Sequence, residues 1–378
     1  MLTTSKTISF PLGIAKGKYF CNRVAETKHL GRNMRNCTHT VLISPRRYGK
    51  TSLAYKALQD AKLPNARVDL YMTTSATDIE KAIIAGVDNL LSQVSNNAEI
   101  LLGLIKDFIK LLRPSFEASA HGLKIKLESS QRANSAANIC EALQILDGVL
   151  KKKAMKAVLL IDEFQEVQLV APDQGIEGAI RHVAQETENF TIIFSGSHRH
   201  LLRSMFNQKN KPLYRLCDEI QLDRISENDY VPFIKKFSVN QWGEALDEKV
   251  LKYIFNQSEC HPYYFNAICE KLFMKEKIPT LADAQTVWNN LLSTKKKDVL
   301  AETKELNITH KKILVAIAHG INKELTGQQF LSQAELPGSS VIRALEYLEE
   351  NDFIEKKQDQ FYIIDPLLKG IINQLTYF

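Results

Sequence analysis

Residues 40–53 read TVLISPRRYGKTSL, and the fold turns on how this stretch is read. Val41, Leu42 and Ile43 form an apolar run long enough for a buried strand. Ser44 to Tyr48 then turn, Gly49-Lys50-Thr51 follow, and Ala and Leu at helical spacing predict a helix to about Asp60. Strand, tight loop and helix start, in that order, make a phosphate-binding loop. Backbone N–H groups and the helix N-terminus face the phosphates, and a Lys reaches the terminal ones. The Thr hydroxyl that follows is placed to bind Mg²⁺. The general pattern is G-x-x-x-x-G-K-[ST]. Ser44 stands at its first Gly here, giving S-P-R-R-Y-G-K-T.

A chain of 378 residues is long enough for two or three domains and at least one sizeable core. A hydrophobic share of 44% with 24% charged residues is ordinary for a globular protein. No stretch reaches eighteen apolar residues, and the N-terminal MLTTSKTISFPLG lacks the apolar centre of a secretory signal. Cys21, Cys37, Cys140, Cys217, Cys260 and Cys269 are scattered, without a C-x-x-C. They suggest neither a metal cluster nor a disulfide framework, and the expectation is a cytoplasmic protein with reduced thiols and no membrane contact. The net charge of +6 is unevenly spread. Residues 1–50 hold ten Lys/Arg against the single acid Glu26, which is +9. Residues 305–378 hold seven Lys/Arg against ten Asp/Glu, which is −3. The basic end could serve ATP, an acidic partner or nucleic acid, or be a solvated surface.

Further along, Ala66 to Tyr71 alternates like a second strand, and Thr77-Asp78 opens a helix to about Val94. Residues 95–135 are an insertion: an apolar helical stretch to Leu112, stopped by Pro114, then a loop or short hairpin near Ala118 to Glu128. Ser135 to Lys152 is an amphipathic helix. Ala157 to Ile161 is a wholly apolar strand ending in Asp162-Glu163-Phe164-Gln165. A carboxylate at such a strand end holds Mg²⁺ beside a phosphate loop, and an acid just after it can polarise an attacking water. Phe190 to Phe194 is another apolar strand, ending in Ser195-Gly196-Ser197, polar residues suited to sensing a γ-phosphate. Cys217 to Leu222 is the fifth candidate strand. Strands alternating with helices predict an α/β fold: a P-loop NTPase parallel sheet with helices on both faces and ligand at the C-terminal strand ends. Residues 226–300 read as all helix and 301–378 as three helices and a hairpin, a winged helix. Its third helix, VIRALEYLEEND, sets Arg343 against Glu346, Glu349, Glu350 and Asp352. That charge favours a protein contact over DNA.

Taken together, S-P-R-R-x-G-K-T-S, L-L-I-D-E-F-Q, F-S-G-S, H-P-Y-Y and a terminal winged helix with I-D-P-L-L resemble the archaeal-type AAA ATPases of the STAND class, over nearly the whole chain outside 95–135. The resemblance implies a nucleotide-binding domain (1–225), a helical lid (226–300) and a winged helix (301–378). It implies that Phe20, Asn22 and Arg23, of an F-x-N-R segment, lie by the adenine. Ser44, Arg46, Arg47, Tyr48, Gly49, Lys50, Thr51 and Ser52 form the phosphate loop. Thr51 and Asp162 hold Mg²⁺, Lys50 and Glu163 act in catalysis, Ser197 falls at the first sensor, and His261-Pro262 is the lid motif that packs on the nucleotide. The expected activity is slow ATP hydrolysis to ADP and phosphate. The nucleotide state would move the lid and winged helix to control a partner protein or self-assembly. The alternative is a DNA-binding ATPase of origin-recognition or transposition-helper type.

Overall fold

A computed structural model describes residues 10–95, 98–106, 109–119, 122–129 and 134–375. The chain divides into two compact units. One, the sheet unit, comprises Arg23–Arg46 and Lys50–Leu222. The other, the helical unit, comprises the residues before Arg23, Arg47–Gly49 and those from Asp223 onward.

The sheet unit runs α1 (Val24–Arg35), β1 (Thr40–Ile43), α2 (Lys50–Ala61), β2 (Asn65–Asp69), α3 (Ala76–Val94), α4 (Ala98–Ile105), β3 (Arg113–Ser119), β4 (Gly122–Glu128), α5 (Ser135–Lys153), β5 (Ala157–Asp162), α6 (Glu166–Val170), α7 (Ile176–Glu186), β6 (Phe190–Ser195), α8 (Arg199–Asn207) and β7 (Asp218–Gln221). Five strands form one parallel sheet in the order β2-β5-β6-β1-β7. Every residue of the central strands β1, β5 and β6 is buried, which is why they read as unbroken apolar runs. The edge strand β2 alternates instead. Helix starts follow capping chemistry: the Ser75 hydroxyl accepts from Asp78 N at α3, and Asn134 caps α5 through Ala137 N.

The described residues of the insertion belong to this unit. β3 and β4 form an antiparallel hairpin pairing Arg113 with Glu128 and Ser119 with Gly122. Pro114 lies inside β3, so the strand continues through the residue expected only to stop a helix. Leu101, Ile105, Leu112 and Leu127 are buried in the same core as the sheet. The buried Glu141 carboxylate on α5 accepts backbone N–H bonds from Lys110, Leu111 and Leu112 at 2.6–3.1 Å.

The helical unit holds α9 (Glu227–Trp242), α10 (Glu248–Ser258), α11 (Pro262–Leu272), α12 (Leu281–Glu302), α13 (Ile308–Ala318), α14 (Gln328–Ala334), α15 (Gly338–Glu350), β8 (Ile354–Lys357), β9 (Gln360–Ile363) and α16 (Pro366–Gln374). Three helices and a hairpin from α13 to β9 form the winged helix. Gln358 and Asp359 both take positive φ, which closes β8–β9 as a two-residue turn with the strands' own twist. The four helices before it and the winged helix share one hydrophobic cluster, to which Phe10 also belongs. Gly370 lets α16 lie close on α12: a Cβ there would stand 2.9 Å from Leu292 Cδ2 and 3.2 Å from Trp288 Cζ2. The described part of the first 22 residues packs with this unit; the expectation had set it in the nucleotide domain.

Candidate nucleotide site

In the sheet unit the site is built at the C-terminal ends of β1, β6, β5 and β2, taken in that spatial order. At the end of β1, Ser44 is buried and has no left-handed backbone, so nothing in its conformation requires glycine. Its side chain is useful in place. Lys50 Nζ donates to Ser44 O at 2.8 Å, Pro45 O at 3.1 Å and Ser44 Oγ at 3.2 Å. Gly49 has φ +92, and a Cβ added there would meet no atom within 4 Å, so glycine is needed for backbone freedom rather than space. Arg46 is exposed, and Thr51 and Ser52 are half-buried on the first turn of α2.

At the end of β5, Asp162 is buried and accepts four hydrogen bonds. Its Oδ2 accepts from Thr51 Oγ1 at 3.4 Å and Arg67 Nη2 at 2.9 Å. Its Oδ1 accepts from Ser195 Oγ at 2.6 Å and Glu163 N at 3.2 Å. Ser195 reaches it because β6 lies between β1 and β5, with Leu42 paired to Ser195 and Ile161 to Phe194. Glu163 adopts φ +53, a left-handed turn that carries the chain out of the strand. Its Oε2 accepts from Ser197 N at 2.9 Å and Gln165 Nε2 at 2.7 Å. Ser197 thus offers Glu163 its backbone N–H, while its hydroxyl lies 3.5 Å from His198 Nδ1. Gly196 is held to glycine by Gln165: a Cβ would fall 1.9 Å from Gln165 Oε1.

Of the remaining residues of the expected site, Arg23 belongs to the sheet unit and the others to the helical unit. Arg23 is buried in the sheet unit and bridges to Glu26 at 3.0 Å. In the helical unit, Phe20 is half-buried and Asn22 exposed, the latter with φ +52. Tyr48 is buried and meets His261 edge-on at 4.8 Å between ring centres. The Arg47 guanidinium lies 4.5 Å over the Tyr263 ring. His261 caps α11 by accepting Tyr263 N at Nδ1, and Pro262 fills the first helical position. Burial, with Arg224 and Arg47 close by, pushes the His261 pKa down to about 3, so the ring is neutral at pH 7.

Lys50, Thr51, Asp162 and Glu163 were marked by sequence pattern. Gln165 stands in the same D-E-F-Q run without a role assigned to it, and Arg67 and the specific use of Ser195 have no mark there. Arg67 carries no local sign of its role, since Asp162 lies 95 positions away. In the strand-end S-G-S the resemblance sets the sensor at Ser197, whereas the hydroxyl that reaches Asp162 is that of Ser195.

The profile of a probable winged helix domain matches residues 301–374. No curated protein matches the chain. Among solved structures, a Walker-type ATPase of Pyrococcus abyssi is similar at 16% identity with a TM-score of 0.69, covering 97% of this chain and 99% of that one. The ORC2 protein of Aeropyrum pernix, solved as ADPNP–ADP complexes, is similar at 12% identity with a TM-score of 0.58, covering 98% and 97%. At these identities the likeness is one of fold. The chain has a P-loop NTPase fold, followed by a helical region and a winged helix domain. Among the described residues no helix is long and apolar enough to cross a membrane.

Proposed function

We propose that this chain is a regulatory ATPase of the STAND type. ATP binds on the Lys50 loop, and its state sets the conformation of the helical lid and winged helix. The carrying observation is the meeting of Thr51 Oγ1 and Asp162 Oδ2 at 3.4 Å, beside Lys50 and Glu163. A hydroxyl and a carboxylate are the hard oxygen donors that Mg²⁺ takes. The Arg67 guanidinium pairs with the same Asp162 oxygen at 2.9 Å, which supports a carboxylate that carries its charge toward cations. Thr51 and Asp162 are the residues that would hold the ion. Such an ion would supply neutralisation of phosphate charge.

In hydrolysis Glu163 accepts a proton from water as the water oxygen attacks the γ-phosphorus. The bond to the β–γ bridging oxygen breaks, and ADP leaves with its electron pair. Lys50 leaves the Ser44 and Pro45 carbonyls to meet the phosphates. ATP and ADP contact the loop differently, so each favours a different arrangement of the domains. The output is contact with a partner protein or a second copy of the chain. Support comes from the exposed face of α15, where Ile342 and Tyr347 accompany Glu346 and Glu350. In purified protein, Lys50→Ala should abolish ATP binding, and Glu163→Gln should retain ATP without releasing phosphate. Unaltered nucleotide handling in both variants would refute the reading.

The second reading, a DNA-binding ATPase, is supported by the fold likeness to the Aeropyrum pernix ORC2 protein and by the +9 charge of residues 1–50. The acids of α15 weigh against it, because they would face phosphates. Binding to duplex DNA that weakens steeply as salt rises would select this reading over the first.

A further inference from the structure

Arg224 ties three parts of the helical unit together. Its Nε donates to the Tyr48 hydroxyl at 3.2 Å. Its Nη1 donates to Glu259 O at 3.0 Å and Glu259 Oε2 at 2.6 Å. Its Nη2 donates to Ile364 O at 3.0 Å and Ile363 O at 3.4 Å, at the end of β9 in the winged helix. Glu259 is itself held by Lys369 of α16 at 2.6 Å. One contact runs parallel to this one. Tyr264, beside the His261 cap, donates to Asp365 at 2.7 Å, and Asp365 in turn caps α16. Glu259 and Cys260 are consecutive left-handed residues just before His261, a backbone kept only where its surroundings hold it. Burial works against the Arg224 charge, but Tyr48 and Glu259 outweigh it and raise the pKa further.

One guanidinium therefore bonds, at once, to the phosphate-loop tyrosine, the segment before the lid motif and the carbonyl end of the winged-helix hairpin. Tyr48 lies two residues from Lys50, joined to it through Gly49 at φ +92. We infer that Arg224 is a positioning residue, a latch through which the winged helix governs how readily the Lys50 loop takes nucleotide phosphate.

The inference rests on the nucleotide reading above and names its regulator. With Tyr48 fixed by Arg224 and His261, the loop is held while Lys50 donates to Ser44 and Pro45. Lys50 must leave those carbonyls to meet a phosphate, so the latch opposes binding. By linkage, nucleotide opposes the latch to the same extent. A compact ammonium cannot replace the latch, because three separate nitrogens of the fork are in use.

The test is a mutant cycle on full-length protein, with a fluorescent ADP analogue and Mg²⁺ as the probe. Tyr48→Phe keeps the ring on His261 and loses only the hydroxyl. It should tighten binding about tenfold, within the usual span of allosteric coupling. Arg224→Ala and Arg224→Lys should each tighten it at least as much. Adding Tyr48→Phe to Arg224→Ala should change nothing more, because both cut one connection. Hydrogen exchange supplies a readout that a purely structural role would not move: nucleotide should speed exchange over residues 353–366 in wild type and leave it unchanged in Tyr48→Phe. Unchanged or weaker binding by Tyr48→Phe, additive effects, or full rescue by Arg224→Lys overturns the latch. Should Arg224→Ala fail to fold, Tyr48→Phe decides alone. Absence of nucleotide binding in wild type would instead refute the functional reading itself.

Discussion

Arg67 donates to two carboxylates at once, Asp69 at 2.8 Å and Asp162 at 2.9 Å. Its pairing with Asp162 places a fixed cation against the oxygen that faces Thr51, so it competes with a metal for that position. Arg67 is a third exposed, and a pair so screened is worth about 1 kcal/mol at most, or roughly fivefold in an equilibrium. Arg67→Ala should therefore lower the Mg²⁺ concentration that half-saturates ATP binding by up to about fivefold, measured by titration at fixed ATP. A raised requirement would mean instead that Arg67 orients Asp162 for the metal. Gly196 supplies the second prediction at this scale. Gly196→Ala must displace the buried Gln165, with Leu202 Cδ1 also 3.0 Å from the added carbon. Overpacking of this kind costs about 1–3 kcal/mol, and it also removes the Gln165 bond that steadies Glu163. The variant should melt earlier and release phosphate more slowly; wild-type turnover in a properly folded variant would show that Gln165 has no part in positioning Glu163.

Among the elements, Glu141 on α5 carries the insertion between α4 and β3. Three backbone N–H groups converge on its buried carboxylate. Hydrogen bonds to a charged group contribute about 1.5–3 kcal/mol each, but three that share one acceptor do not add fully. Glu141→Ala should cost about 3 kcal/mol and remove amide exchange protection at Lys110, Leu111 and Leu112, while the central strands stay protected. Retained protection at those amides would assign the anchoring to Leu112 and Leu127 instead. The sequence could not announce this, because a lone Glu in an amphipathic helix looks like any solvated acid. The sheet was far more legible. β1, β5 and β6 are buried on both faces and stand out as apolar runs, and the phosphate loop and Asp162-Glu163 sit where such runs end. The β8–β9 turn was legible from its polar tip. Arg224 was not, since its partners at Tyr48 and Ile364 lie 176 and 140 positions away and only the folded chain brings them together.

Two hydrophobic clusters, one around the parallel sheet and one through the helices and winged helix, imply two cooperative units and not one. Calorimetry should then resolve two unfolding transitions, as chains with separate cores do. Their pH dependence separates them. His261, in the helical unit, has a folded pKa of about 3 against an ordinary imidazole value near 6.5. As pH falls through 6.5 the unfolded chain takes up the proton and the folded one does not. The stability due to the neutral ring is therefore complete above about pH 6.5 and drains away toward pH 3. By pH 5 the helical unit should have lost about 2 kcal/mol. Burial also lowers the pKa of His39 in the sheet unit, whose Nε2 lies 2.7 Å from Ala184 O while Nδ1 accepts from Ile192 N. That transition should fall with acid as well, so a shift in both is expected and does not by itself identify His261. His261→Asn does, because an Asn side chain can still cap α11 but has no proton to gain. In that variant the transition of the helical unit should become nearly flat between pH 7 and 5, while that of the sheet unit continues to move. An equal acid shift in variant and wild type would mean that His261 is not held neutral by its burial against Tyr48.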